Sequence, residues 1–116
     1  MARCRVKVCG ITTSTDAQAV SAAGADALGL VFYPKSPRFV TVAQARVISQ
    51  AMPPFVARVG LFLNADREFI DQVLTQVPLD VIQFHGNETA EFCRSFQRPY
   101  IKALGLLGQD FAVAAH

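Results

Sequence analysis

The stretch RVKVCGI at residues 5–11 alternates as an extended strand does, with Val6 and Val8 on one face and Arg5, Lys7 and Cys9 on the other. The alternation runs into Gly10, where a residue without a Cβ lets the backbone turn. A thiol therefore stands on the last residue of a strand. LDVIQFH at 79–85 repeats the pattern, with Ile82 and Phe84 on one face and Val81, Gln83 and His85 opposite. In YIKALG at 100–105, Lys102 lies opposite Ile101 and Ala103. One face of these strands is apolar; the other carries repeated polar groups.

Between the strands lie helical patterns. Residues 14–24 read as a helix capped by Ser14 or Thr15, with Asp16 in its first turn and Gly24 as its stop. The apolar strand 27–33 leads through the two-proline loop PKSPRF into a helix at 41–52, capped by Thr41 and stopped by Pro53 and Pro54. A strand at 56–63 and a cap region at Asn64 to Asp66 precede a helix at 66–77, where Phe69, Ile70, Val73, Leu74 and Val77 recur at helical spacing. After the strand at 79–85 come a helix at 87–96, the strand at 100–105 and the start of a further helix from Gln109. Alternating strands and helices of this length are the pattern of right-handed βαβ units with a parallel sheet, an α/β fold.

Residues 1–116 read as one domain, since no Gly/Ser linker or low-complexity segment divides them. Two architectures fit, a doubly wound open sheet and part of a (β/α)8 barrel. Polar groups on one strand face favour the barrel, because an open parallel sheet is covered by apolar helix layers on both faces. The competing reading puts Lys7 and Lys102 on outer strands with their ammonium groups in solvent.

The charge is +2, from 11 basic and 9 acidic residues spread along the chain, which gives no footprint for nucleic acid or a membrane surface. A small-molecule partner fits better. No apolar run approaches the roughly 20 residues of a membrane span, and Arg3, Arg5 and Lys7 are not followed by the apolar core of a signal peptide, so a cytoplasmic location is expected. The three cysteines, Cys4, Cys9 and Cys93, form no CxxC pair and are expected as reduced thiols, with no zinc site.

In parallel α/β proteins ligands bind at the C-terminal ends of the strands. There the chain offers Cys9 and Gly10, the Tyr33 to Arg38 loop, Asn64, His85 with Gly86, and Gly105. A thiol, an imidazole and a guanidinium suit proton transfer on an anionic substrate. Each has a plainer reading: Cys9 as core filler, Arg38 as a solvated loop charge, His85 bonded to its loop backbone. Cys4 and Cys93 fit filler better than Cys9, since neither ends a strand. A Cys/His nucleophile pair lacks an orienting third residue, and no G-x-G-x-x-G or P-loop follows a strand.

VKVCGIT at 6–12, GADALGLVFYPKSPRFV at 24–40, RVGLFLN at 58–64 and IQFHGNE at 82–88 together resemble phosphoribosylanthranilate isomerases, the (β/α)8-barrel enzymes of tryptophan biosynthesis. The resemblance implies an Amadori rearrangement of N-(5′-phosphoribosyl)anthranilate to the 1-deoxyribulose 5-phosphate derivative of carboxyphenylamine, without metal or cofactor. The family's general base is the cysteine of K-x-C-G, matching Cys9. It removes the C2′ proton of the opened sugar, and Lys7 on the same face is the cation expected to favour the thiolate. The arginine of the P-K-S-x-R loop, matching Arg38, contacts the anthranilate carboxylate, and His85 matches the family's H-G and lines the pocket.

Length is the departure. Complete barrels typically have about 250 residues in eight units, whereas these residues cover about the first four and a half. The family's general acid, an aspartate ending the sixth strand, and the phosphate-binding loops after strands seven and eight fall beyond His116. The chain alone is therefore expected to be inactive. It stops in the apolar stretch FAVAA without a capping signal, which favours a piece of a longer protein over a half-barrel scaffold that self-associates. A different phosphosugar-binding barrel is the other alternative, and the oligomeric state is not legible.

Overall fold

The computed structural model describes residues 4–103. Leu104, Gly105, the helix expected from Gln109 and the FAVAA stretch lie outside the described residues. Strands and helices alternate in chain order: β1 (Lys7–Cys9), α1 (Ser14–Ala22), β2 (Ala27–Val31), α2 (Val42–Ala51), β3 (Ala57–Phe62), α3 (Arg67–Gln76), β4 (Val81–Phe84), α4 (Ala90–Arg94) and β5 (Tyr100–Lys102). Every element expected within these residues is present, each of them shorter than its expected range.

The helix starts follow capping chemistry. Thr41 caps α2 in a full capping box with Gln44, while α1 is capped by Thr13 rather than by the expected Ser14 or Thr15, its hydroxyl accepting the Asp16 N–H at 3.0 Å. Gly24, at φ +107°, turns the chain out of α1. The helix α4 begins at Ala90 under a Thr89 cap rather than at 87. Asn87 and Glu88 are drawn instead into a cluster at the sheet rim described below.

All five strands are parallel and lie in the order β1-β2-β3-β4-β5. This order decides between the two architectures. When each strand lies beside its predecessor, every right-handed crossover steps the same way and all helices fall on one face; a doubly wound sheet reverses direction midway and covers both. Residues from all four helices, Ala17, Ala45, Ile48, Ile70, Val73 and Cys93, share one core with Leu28, Leu30, Phe62, Ile82 and Phe84 of the strands. Phe84 is fully buried and meets the rings of Phe92, Phe96 and Tyr100 at about 6 Å.

The other face is read from the register. Lys7, Ala27 and Ala57 form one row, Cys9, Gly29, Val59 and Val81 the next, and Val31, Leu61, Gln83 and Ile101 the last. A concavity of about 360 Å³ opens there, lined by Lys7, Ala27, Ala57, Val59, Val81 and Ile101 among others. This is the inner wall that the polar alternation of β1 and β4 anticipates. Lys102 differs: it pairs with Phe84 and so belongs to the helix side, not to the polar inner face.

Candidate active site

Three of the four candidate residues stand on one rim of this wall, and the fourth, Lys7, lies two residues below it. Cys9 ends β1 with an exposed thiol. Gly10 follows at φ +85°, and the N–H groups of Gly10 and Ile11 both donate to the Gly29 carbonyl of β2, at 3.0 and 3.2 Å. The turn expected after the thiol is thus tied to the neighbouring strand.

Arg38 arrives from the loop after β2. The loop folds back on its own strand, Val40 N–H donating to the Val31 carbonyl at 3.0 Å, and the Ser36 hydroxyl accepts the Arg38 N–H at 3.0 Å. The Arg38 side chain lies across Gly10 and donates from Nη1 to the Gly10 carbonyl at 3.2 Å. A Cβ on Gly10 would stand 3.1 Å from Arg38 Cγ, so the glycine serves both the turn and the approach of the arginine. Arg38 is exposed, as a solvated loop charge is, yet one of its five donors is anchored on the Gly10 carbonyl.

Lys7 lies two residues before Cys9 and donates from Nζ to Oε1 of Gln83, itself only 3% exposed, across the inner wall. Neither ammonium therefore follows the solvent reading, since Lys102 is held at the rim. His85 is exposed directly after β4, and its N–H continues the ladder to the Phe62 carbonyl at 2.9 Å. The structure joins Cys9 to Arg38 through Gly10 and Lys7 to Gln83, while His85 stands three strands along the rim. Among the cysteines, Cys93 is core filler and burial pushes its thiol up, with the Glu88 carboxylate adding to the effect. Cys4 is exposed and is not filler.

Glu88 is the residue that sequence reasoning missed. Its side chain is 3% exposed, with Oε2 accepting from the Asn64 N–H at 2.7 Å and Oε1 from the Gly86 N–H at 2.8 Å and Lys102 Nζ at 2.9 Å. Burial pushes the carboxyl up, but Lys102 and the backbone N–H groups of Asn64, Glu88 itself and Gly86 outweigh it and hold the carboxyl below its ordinary range. Asn64, at φ +50°, accepts the Asn87 N–H on Oδ1 at 2.7 Å, and Lys102 also donates to the Gly86 carbonyl. The end of β3, the loop after β4 and β5 are thereby locked together. The motif IQFHGNE holds Glu88, but at the head of a helix read as 87–96 it looks like a solvated first-turn acid.

Among the described residues no three His, Cys, Asp or Glu side chains come together to hold a metal ion. No helix among them is long and apolar enough to cross a membrane.

Residues 6–113 match the family model for N-(5′-phosphoribosyl)anthranilate isomerase. A curated relative of that name from Pseudomonas fluorescens is 57% identical over 115 residues, which are 99% of this chain and 55% of the relative. The crystal structure of phosphoribosyl anthranilate isomerase from Thermotoga maritima matches with a TM-score of 0.85 at 47% identity, over 90% of this chain and 52% of that one. A structure of such an isomerase in complex with reduced 1-(o-carboxyphenylamino)-1-deoxyribulose 5-phosphate matches with the same TM-score over 55% of its chain. The chain spans about half the length of the relatives it matches, and its five-stranded arc is the corresponding part of a (β/α)8 barrel. On the match of residues 6–113 and this shared architecture, the chain belongs to the N-(5′-phosphoribosyl)anthranilate isomerase family.

Proposed function

We propose that this chain supplies the proton-abstracting base and the carboxylate clamp of a cytoplasmic phosphoribosylanthranilate isomerase that uses neither metal nor cofactor. The observation that carries the reading is the Cys9–Gly10–Arg38 unit, in which an exposed thiol and an exposed guanidinium flank one glycine at the strand ends.

The chemistry divides as follows. In an aldosylamine, the nitrogen lone pair opens the C1′–O4′ bond while an acid protonates the ring oxygen, leaving an iminium at C1′. Cys9, as thiolate, takes the proton from C2′, and the C–H electrons form the C1′=C2′ bond and neutralise the nitrogen. Loss of the O2′ proton and protonation at C1′ then give the ketone. Arg38 holds the anthranilate carboxylate by its remaining donors, so that C2′ is presented to the thiol. Lys7 contributes positive charge to the same wall, and His85 bounds the pocket on the far side. The acid for ring opening and the phosphate site belong to the family's later strands. The reduced amino-deoxyribulose phosphate bound by a related isomerase is of the product class this reading requires.

The test joins residues 1–116 to the part of the Pseudomonas fluorescens relative beyond its aligned 115 residues. The joined protein turns over N-(5′-phosphoribosyl)anthranilate, and Cys9→Ala lowers kcat at least a hundredfold while binding of the reduced product persists. Full turnover in Cys9→Ala refutes the role of the thiol.

A further inference from the structure

The thiol of Cys9 is exposed, and it occupies space that only a glycine on the neighbouring strand leaves free. Cys9 pairs in register with Gly29 of β2, and parallel partners in register present their side chains on the same face. A Cβ on Gly29 would stand 2.8 Å from Cys9 Sγ, 3.2 Å from Cys9 Cα and 3.4 Å from its Cβ. The first distance is well inside van der Waals contact, and the atom involved is the free end of a side chain that turns about one bond. An added methyl group therefore displaces the sulfur first and the backbone only by a few tenths of an ångström. Gly29 is fully inside the sheet, at 27–31 of an otherwise apolar strand where glycine weakens packing and costs backbone entropy. Its φ is not in the left-handed region, so no turn demands it. The same residue's carbonyl receives the N–H groups of both Gly10 and Ile11.

We propose that Gly29 is a positioning residue for the thiol: it leaves open the space into which Cys9 Sγ is aimed, and its carbonyl fixes the turn that ends β1. The inference rests on the reading of Cys9 as the base, because only a reacting sulfur needs an aim held to fractions of an ångström. A methyl group at position 29 occupies that space, turns the sulfur to another rotamer and covers part of its surface. The fold around it stays intact.

The test is alkylation by iodoacetamide of the joined protein described above, with Cys9 and Cys4 followed by mass mapping. Exposed Cys4 serves as the internal reference. In Gly29→Ala the ratio of Cys9 to Cys4 alkylation rates falls at least threefold; a ratio within a third of the parent value overturns the proposal. If Gly29→Ala does not fold, the double variant Cys9→Ala/Gly29→Ala decides, by thermal unfolding. Removing the sulfur restores a cooperative transition if the clash is with Sγ, and a double variant as unfolded as the single one overturns the proposal. Neither readout uses turnover. Should Cys9→Ala retain isomerase activity, the base reading fails on its own; should the alkylation ratio stay constant, the spatial inference fails on its own.

Discussion

The two ends of the sheet use similar residues for opposite purposes. At the N-terminal ends, polar side chains close on the backbone. Asp26 accepts the Val6 N–H at 2.7 Å and returns its own N–H to the Val6 carbonyl at 2.8 Å. Asp80 repeats the exchange with Arg58, at 2.8 Å in both directions, so β1 with β2 and β3 with β4 are started by the same reciprocal pair. The Arg58 guanidinium then donates to the carbonyls of Ser49, Met52 and Val56 and to the Ser49 hydroxyl, tying the C-terminus of α2 to the strand that follows. At the C-terminal ends, the Cys9 thiol, the Arg38 guanidinium and the His85 imidazole stay exposed. An end whose polar groups are satisfied within the chain can only stabilise; an end with exposed reactive groups can bind and react.

Exchanging the effects of the two ends would break this contrast. The largest separation is expected from Cys9→Ala, which in the joined protein of the turnover test lowers kcat at least a hundredfold and shifts the unfolding free energy by less than about 0.5 kcal/mol. Arg58→Ala is its mirror image. It strands carbonyls at the end of α2 and costs about 2–3 kcal/mol in denaturant unfolding, with alkylation of Cys9 unchanged. Asp80→Ala leaves the Arg58 N–H to water and costs about 1 kcal/mol. At the small end, Phe55 is 98% exposed in the loop before β3, and Phe55→Ser changes stability by less than about 0.5 kcal/mol.

Glu88 sharpens the contrast, because it is a closed cluster at the open end. Its carboxyl is lowered in the folded chain from the ordinary value near 4.5, so its contribution is fully present above that pH and is lost as pH falls through the folded value. Thermal unfolding followed from pH 6 downward should show the parent losing its advantage over Glu88→Gln on acidification. A gap of constant size across that range would remove the lowered carboxyl from the account.

Strand parity made much of this legible. The alternation in RVKVCGI and LDVIQFH puts Lys7, Cys9 and Gln83 on the inner wall, where the register confirms them. For β5 parity alone was insufficient. Three residues do not say which of their faces is inner; only pairing with β4 assigns Lys102 to the helix side. The capping signal at Thr41 survived because a box with Gln44 is local, and the same holds for the turn at Gly10. The reciprocal pairs of Asp26 and Asp80, the lock around Glu88 and the space left by Gly29 join residues 20 or more apart, or different strands. No spacing within a single segment announces them.

The most direct test of the contrast is an amide NMR titration of the 116-residue chain with the reduced amino-deoxyribulose phosphate found in the related isomerase. Ligand at millimolar concentration should shift the amides of Gly10, Ile11, Arg38 and Gly86, while those of Val6, Asp26, Arg58 and Asp80 stay in place. Shifts concentrated at the second set, or equal at both ends, would contradict the placement of the site at the C-terminal ends of the strands.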